Sequence, residues 1–364
     1  MIYIIMPVRS ARKKSVVKLK TKKIADKKRV KRVLSMIGLT FFALVFLGGY
    51  SLLKLINHNL ASALTPNEIG FTESGYPTLL YVQVKDLSDP TPTIQKIQFK
   101  IYDLDGQRVF SYDIPLDYEV DMPGRLGLEK LSNIFLVSDL NKTASTNSNS
   151  LEQGINELNK SLLPIFGLRA ERYMVVDSSS SPKIEDFLKN GDLASFIDKD
   201  FILSLPKHLK SDFSTKELLK LGTFIGSLPS DRLINNPYLS SYIKDTEVID
   251  QEVKDLMLLS PLSKEGYSVA ILNGAGKEGF AAFGARVVSN NGGRVVAVNN
   301  SDTNINKSVL ITDQQDSLTA RKLAWLFGID TVITKDQAKK YYRDNEIDRA
   351  DIVVVLGFDL AETL

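Results

Sequence analysis

Between Ser111 and Pro123 the chain reads SYDIPLDYEVDMP, with acids recurring at alternate positions: Asp113, Asp117, Glu119 and Asp121, and Pro115 among them. Side chains of a strand alternate between faces, so these residues share one side. Tyr112, Ile114, Leu116, Tyr118, Val120 and Met122 share the other. Carboxylate oxygens gathered on one face suit a hard cation such as Mg²⁺ or Ca²⁺, with Asp113 and Asp117 as the candidate ligands. The same pattern also fits the solvated side of a half-buried strand. Pro115 lacks an N–H and favours an edge or a bend. Arg125 and Lys130 follow closely, and Arg169 and Arg172 stand further on. If Arg125, Lys130 and Arg172 converge on Asp113, Asp117 and Glu119, the group can hold a phosphorylated ligand, because a guanidinium pairs bidentately with phosphate oxygens.

A second candidate is Gly274-Ala275-Gly276-Lys277-Glu278-Gly279, a G-x-G-x-x-G run between an expected strand and an expected helix. Such a turn can offer backbone N–H groups to a phosphate at a helix N-terminus. A dinucleotide is disfavoured. The next strand ends Asn299-Asn300-Ser301-Asp302 without a clean ribose-binding acid, and the segment is too short for two mononucleotide halves. Contact with an anion or glycan through Gly274, Gly276 and Gly279, and a purely structural turn, both remain open.

Other chemistries are excluded or weakened by composition. The 364 residues include no cysteine, which removes disulfides, zinc-thiolate sites and cysteine nucleophiles. Only His58 and His208 are available for histidine-based metal sites or Ser-His-Asp schemes. No kinase, protease or Walker motif is present. No cofactor is expected, except Mg²⁺ if the acidic strand is catalytic.

The elements that position these residues begin with a charge asymmetry. Residues 1–32 hold thirteen Lys or Arg and one acid, Asp26, which makes +12 against +3 for the whole chain. The other 332 residues therefore carry −9, and a nucleic-acid partner is not expected for an acidic body. Residues 33–53, VLSMIGLTFFALVFLGGYSLL, are uncharged and long enough to cross a bilayer as a helix. Lys27, Lys28, Arg29, Lys31 and Arg32 precede it, which keeps the N-terminus cytoplasmic and sends the rest outside. Ala61-Ser62-Ala63 fits a signal-peptidase pattern, but the apolar run exceeds a signal peptide's, so an uncleaved anchor in the lipid bilayer is expected.

Residues 54–75 read as a stalk, 76–262 as one α/β domain and 266–364 as a second. In the first, Leu79–Lys85, Ile94–Tyr102, Arg108–Asp121 and Arg172–Asp177 read as strands. Leu151–Phe166 reads as a helix, with amphipathic helices from Ile184 to about Leu262. Asp139–Ser150 is a polar loop. In the second, strands Val269–Leu272, Arg294–Asn299, Val309–Thr312, Thr331–Thr334 and Ile352–Leu356 alternate with helices Glu278–Ser289 and Ser317–Phe327. This is the pattern of a layered α/β domain. The fold class is therefore α/β: one transmembrane helix and two extracytoplasmic α/β domains.

The segment Val269-Ala270-Ile271-Leu272-Asn273-Gly274, with Gly276, Gly279 and Gly293, and the later Ala350-Asp351-Ile352-Val353-Val354-Val355-Leu356-Gly357 followed by Asp359, resembles the LytR/CpsA/Psr C-terminal domain. The region before it resembles a diverged LytR/CpsA/Psr catalytic domain. Ile114-Pro115-Leu116-Asp117-Tyr118-Glu119-Val120 stands where that family has S-I-P-R-D-x-x-V. Lys130-Leu131-Ser132-Asn133-Ile134-Phe135 stands where it has K-I-N-x-A-Y, and Arg172–Asp177 is similar to its Y-x-x-V-D strand.

The resemblance implies transfer of lipid-pyrophosphate-linked glycopolymer to peptidoglycan, using Mg²⁺ and several arginines, with Asp117 carried over as the catalytic position. Here Leu116 holds the place of the key arginine. The family's G-R-S-D-T segment is not visible near Thr91-Pro92-Thr93-Ile94, and Asp231-Arg232 stands alone where an arginine-rich run is expected. The expectation is a membrane-anchored envelope protein whose first domain is non-catalytic and binds or scaffolds cell-wall glycopolymer, peptidoglycan or the attachment machinery. An active phosphotransferase with relocated basic residues, and a purely structural protein-interaction module, are the alternatives.

Overall fold

The computed structural model describes residues 75–122, 127–140, 150–192, 207–236 and 246–362, with Phe42. The basic tail, the apolar run 33–53 apart from Phe42, the stretch before Gly75, and Arg125 lie outside the described residues. Among the described residues no helix is long and apolar enough to cross a membrane. From Gly75 on, they belong to one compact unit, His58–Leu364.

Three apolar segments open the first sheet as an antiparallel meander: β1 (Thr78–Val84), β2 (Ile94–Asp103) and β3 (Arg108–Ile114). A short ribbon follows, β4 (Glu119–Met122) against β5 (Gly127–Lys130). Then come α1 (Ile134–Leu140) and α2 (Ser150–Phe166), and β6 (Arg172–Asp177) returns parallel to β1. After α3 (Ser181–Asn190), β7 (Leu209–Ser211) pairs with β6. After α4 (Thr215–Gly226), β8 (Leu233–Asn236) joins β3, giving the order β7-β6-β1-β2-β3-β8. Helices α5 (Thr246–Met257) and α6 (Pro261–Glu265) close the region.

The two faces of this sheet differ in chemistry. Leu80, Val82, Ile97, Phe99, Ile101, Tyr112, Ile114, Tyr173 and Val175 point one way and form the main core with α1, α2 and α5. Phe99 stacks on Phe166 of α2 at 4.8 Å between ring centroids. The alternate positions face α3 and α4, and there β2 carries Lys96, Gln98 and Lys100 instead of apolar residues.

The second sheet has the order β10-β9-β13-β11-β12. Its strands are β9 (Ser268–Asn273), β10 (Arg294–Asn300), β11 (Val309–Thr312), β12 (Val332–Ile333) and β13 (Ile352–Leu356). β9, β11 and β13 are buried throughout, as strands covered on both faces must be. Helices α7 (Phe280–Asn290) and α8 (Leu318–Phe327) cover one face. The thinner opposite layer includes α9 (Lys335–Ala338) and α10 (Glu346–Arg349), with Ala338 and Ile347 in its core, and α11 (Phe358–Ala361) ends the described chain.

The α/β reading is borne out, with two departures in detail. The expected strand Arg108–Asp121 is two strands. Pro115 ends β3, Tyr118 N–H turns back to the Pro115 carbonyl at 3.3 Å, and pairing resumes only at Glu119. Strands β5, β7 and β8 were not expected from sequence; three or four residues are too few to establish a period.

Candidate functional site

The acidic positions separate along this broken strand. Asp113, at the end of β3, is exposed and accepts from Gln98 Nε2 at 2.6 Å. Asp117 is exposed in the turn between β3 and β4. Glu119 lies on the ribbon, directly across from Lys130 of β5. Among the described residues no three His, Cys, Asp or Glu side chains gather so that they could hold a metal ion. Asp113 and Asp117 thus have no third such side chain gathered with them among the described residues, and no reaction step is derived through Mg²⁺.

Among the described residues, Arg172 does not turn toward the acidic positions. Arg172 opens β6 and is only 4% exposed. Its NH2 donates to Glu217 Oε1 at 2.5 Å and its NH1 to the Glu171 carbonyl at 2.8 Å. Glu217 also completes the capping box of α4, whose N-cap is Ser214, by accepting from the Ser214 N–H and hydroxyl. The hydrogen bonds from Arg172 and Ser214 outweigh burial and hold the Glu217 carboxyl below its usual range. Asp212, beside this pair, accepts from Tyr173 N at 2.8 Å, yet burial pushes its carboxyl up to about 7. Arg172 thus closes a buried network that starts a helix. Arg169, also named from sequence, donates to the Trp325 carbonyl at 3.1 Å and sits over the Trp325 ring. Leu116, in the position of the family's key arginine, packs half-buried against the main core.

The glycine run is a strand-to-helix turn tied to its surroundings. Gly274 N–H bonds the Leu356 carbonyl and its own carbonyl accepts from Ile305 N–H, both at 2.8 Å. Asn273 Nδ2 reaches the Lys277 carbonyl at 2.8 Å and closes the loop on itself. Gly279, at φ 72°, caps α7 in a left-handed conformation that glycine adopts without steric cost. At the tip of β10, Asn299 donates to Glu346 and Asn300 accepts from Asn273.

What the structure adds is a cleft of about 410 Å³ on the polar face of the first sheet, between β2, β3, β8 and helices α3 and α4. Its wall includes Lys96, Lys100, Ser111, Glu185, Lys189 and Asn235. The register aligns Lys100 with Ser111, and Ser111 with Asn235, in one row across three strands. Lys100 Nζ donates to Ser111 Oγ at 2.8 Å, and both residues are buried. Burial pushes the lysine down to about 8; repulsion from Lys96 adds to this, while Asp113 and Glu185 oppose it. Lys96 is paired with Glu185 at 2.9 Å. The alternation of Lys96, Gln98 and Lys100 was visible in sequence as a polar side of β2. The meeting with Ser111 depends on the β2–β3 register and was not.

Residues 266–359 match the family model described as LytR cell envelope-related transcriptional attenuator. That match spans the second sheet and its helices, and it likens this part of the chain to the C-terminal domain of LytR proteins. Solved structures similar to the chain include one described as TagT bound to LI-WTA, at 11% identity and TM-score 0.34, covering 54% of this chain and 96% of that one. Another is TagV of B. subtilis, at 10% identity and TM-score 0.31, covering 44% and 84%. A third is the LytR-CPS2A-psr family protein YwtF (TagT) with bound octaprenyl pyrophosphate lipid, at 10% identity and TM-score 0.33, covering 54% and 96%. No curated protein matches the chain.

Proposed function

We propose that this chain is a cell-envelope protein, anchored by residues 33–53 with its N-terminus cytoplasmic, that binds or scaffolds cell-wall glycopolymer or its attachment machinery without transferring the polymer itself. The LytR C-terminal domain at residues 266–359 supports the envelope setting. The observation that carries the non-catalytic part is Arg172. It is buried and spent on Glu217 and the Glu171 carbonyl, while Leu116 fills the motif position that would face a pyrophosphate. A pyrophosphate without its arginines loses several charge-assisted hydrogen bonds, each worth roughly 1.5–3 kcal/mol. Asp117 on its exposed turn does not replace them.

The test uses the full chain in detergent micelles, given a lipid-pyrophosphate glycan, a peptidoglycan acceptor and Mg²⁺. No transfer is expected, while isolated wall carrying glycopolymer should retain the protein on sedimentation. Turnover that disappears in Asp117→Ala would overturn the non-catalytic reading. Failure to sediment with the wall would overturn the binding role.

A further inference from the structure

Two lysines are buried among the described residues, and they are treated differently. Lys322 faces the carboxylate of Glu171. Lys100 meets no carboxylate within ion-pair distance; its hydrogen-bond partner is the Ser111 hydroxyl. The charged groups around it are otherwise engaged: Lys96 with Glu185 of α3, and Asp113 of β3 with Gln98. Lys189 of α3 also lines the cleft and adds positive charge, while α4 and β8 contribute Ile225, Gly226, Leu233 and Asn235. A desolvated amine with no carboxylate in contact favours its neutral form against the more distant charges of Asp113 and Glu185, and a neutral amine is a proton acceptor. The hydroxyl it touches opens onto a cavity large enough for a small ligand. One strand further, with backbones about 4.8 Å apart, Asn235 stands in register with Ser111 and lines the same cleft.

We infer that this cleft is an acyl-transfer site, with Ser111 as nucleophile, Lys100 as its general base and Asn235 as the donor to the developing oxyanion. The substrate class is an O-acyl ester of a hydroxyl-rich molecule, which suits the amide and hydroxyl groups of Asn190, Ser230 and Asn235 in the wall. Ser111 Oγ attacks the ester carbonyl carbon and its proton passes to the Lys100 amine. The carbonyl π pair moves onto oxygen, where the Asn235 amide stabilises it, as a side-chain amide does in other acyl-transfer sites. The oxygen pair then reforms the carbonyl, the C–O bond to the alcohol breaks, and the Lys100 ammonium returns its proton to the departing alcohol. Water, losing a proton to Lys100, repeats the attack on the acyl-serine. It releases the carboxylic acid and regenerates Ser111. This site does not rest on the wall-binding role, which is measured separately by sedimentation.

The experiment treats the full chain, in detergent micelles, with a biotin-tagged fluorophosphonate across pH 6 to 10. The adduct is located by peptide mapping. Labelling is expected on Ser111, rising about 50-fold from pH 6 to pH 8 as the base loses its proton and levelling above about pH 9. Lys100→Met should slow it at least 100-fold, and Asn235→Ala roughly 100-fold. No adduct on Ser111 overturns the proposal. So does an equal rate in Lys100→Met, or a rate that climbs with hydroxide without a plateau. Should Lys100→Met fail to fold, the presence or absence of that plateau in the native chain decides.

Discussion

Arg286 Nε lies 2.7 Å from Asp250 Oδ2, while its NH2 reaches the Ile165 carbonyl at 2.7 Å and its NH1 the Pro164 carbonyl. One side chain of α7 therefore binds α5 and closes the C-terminal end of α2. The last carbonyls of a helix have no partner within it and carry the negative end of its dipole, so a guanidinium there is doubly favoured. Asn290 and Asn291 extend the contact, donating to the carbonyls of Phe166 at 2.8 Å and Gly167 at 3.0 Å. The second sheet's layer is thereby tied to helices α2 and α5 of the region that precedes it.

Arg286→Ala should cost about 3 kcal/mol of unfolding free energy, because it strands a mostly buried Asp250 and uncaps two carbonyls together. Arg286→Lys should recover less than half of this, since an ammonium lacks the planar fork that reaches three partners. Urea unfolding of the full chain in detergent measures both. A loss below about 0.5 kcal/mol for the alanine variant would place this contact among the weak surface pairs.

Lys100→Met should stabilise the protein by about 2 kcal/mol at pH 7. The folded-state value of about 8 lies below the ordinary 10.5. The unfolded chain therefore takes up a proton below pH 10.5, and the folded one does so only near 8. The cost of the lysine accumulates as pH falls through that window and stays below it. The advantage of the methionine variant should accordingly shrink as pH is raised from 8 to 10.5. An advantage independent of pH would mean that Lys100 carries its charge freely in the cleft.

These two sites mark the limit of what the sequence makes legible. Val309–Thr312 and Ile352–Leu356 are strands with the bounds their apolar runs suggest, because burial on both faces leaves no other pattern. Ser317 was expected to begin a helix and is instead its N-cap, accepting from Ala320 N, a shift of one residue. The Ser111–Pro123 segment misled because its alternation of acids and apolar residues continues across the turn at Pro115. Periodicity alone does not register a break that preserves parity. Arg172 was named as a ligand-binding residue. Its burial against Glu217, 45 residues later, is tertiary information. The same holds for Arg286, whose partners come from two distant helices.

Asp212→Asn should remove a pH dependence. Burial raises the Asp212 carboxyl to about 7 in the folded state, against 3.8 ordinarily. Between pH 4 and 7 the unfolded chain has lost this proton and the folded chain has kept it, so native stability falls as pH rises through that window. The asparagine keeps an oxygen for the Tyr173 N–H and has no proton to lose. The variant should match the native chain at pH 4 and exceed it by roughly 2 kcal/mol above pH 7, allowing for solvent screening. Parallel stability curves from pH 4 to 8 would assign the slope to other groups.

The glycine turn of the second sheet separates close packing from backbone conformation. A Cβ on Gly274 would lie 2.9 Å from Ile305 Cγ1, 3.1 Å from Val355 Cγ1 and 3.2 Å from the Leu356 carbonyl oxygen. Val355 is fully buried in the core and Ile305 packs half-buried against it, so the backbone carbonyl and Val355 have little room to yield and Gly274→Ala should cost about 2–3 kcal/mol. Gly276 has open space around the same position, and its φ of 67° is the only obstacle. Gly276→Ala should therefore cost roughly 1–2 kcal/mol, the ordinary penalty for a left-handed alanine. Thermal unfolding of the two variants gives the comparison directly. If Gly276→Ala proved the more damaging, the conformation of this loop would matter more than its contact with the sheet. If both were tolerated while retention on glycopolymer-bearing wall fell, the turn would have to be counted as part of the binding surface.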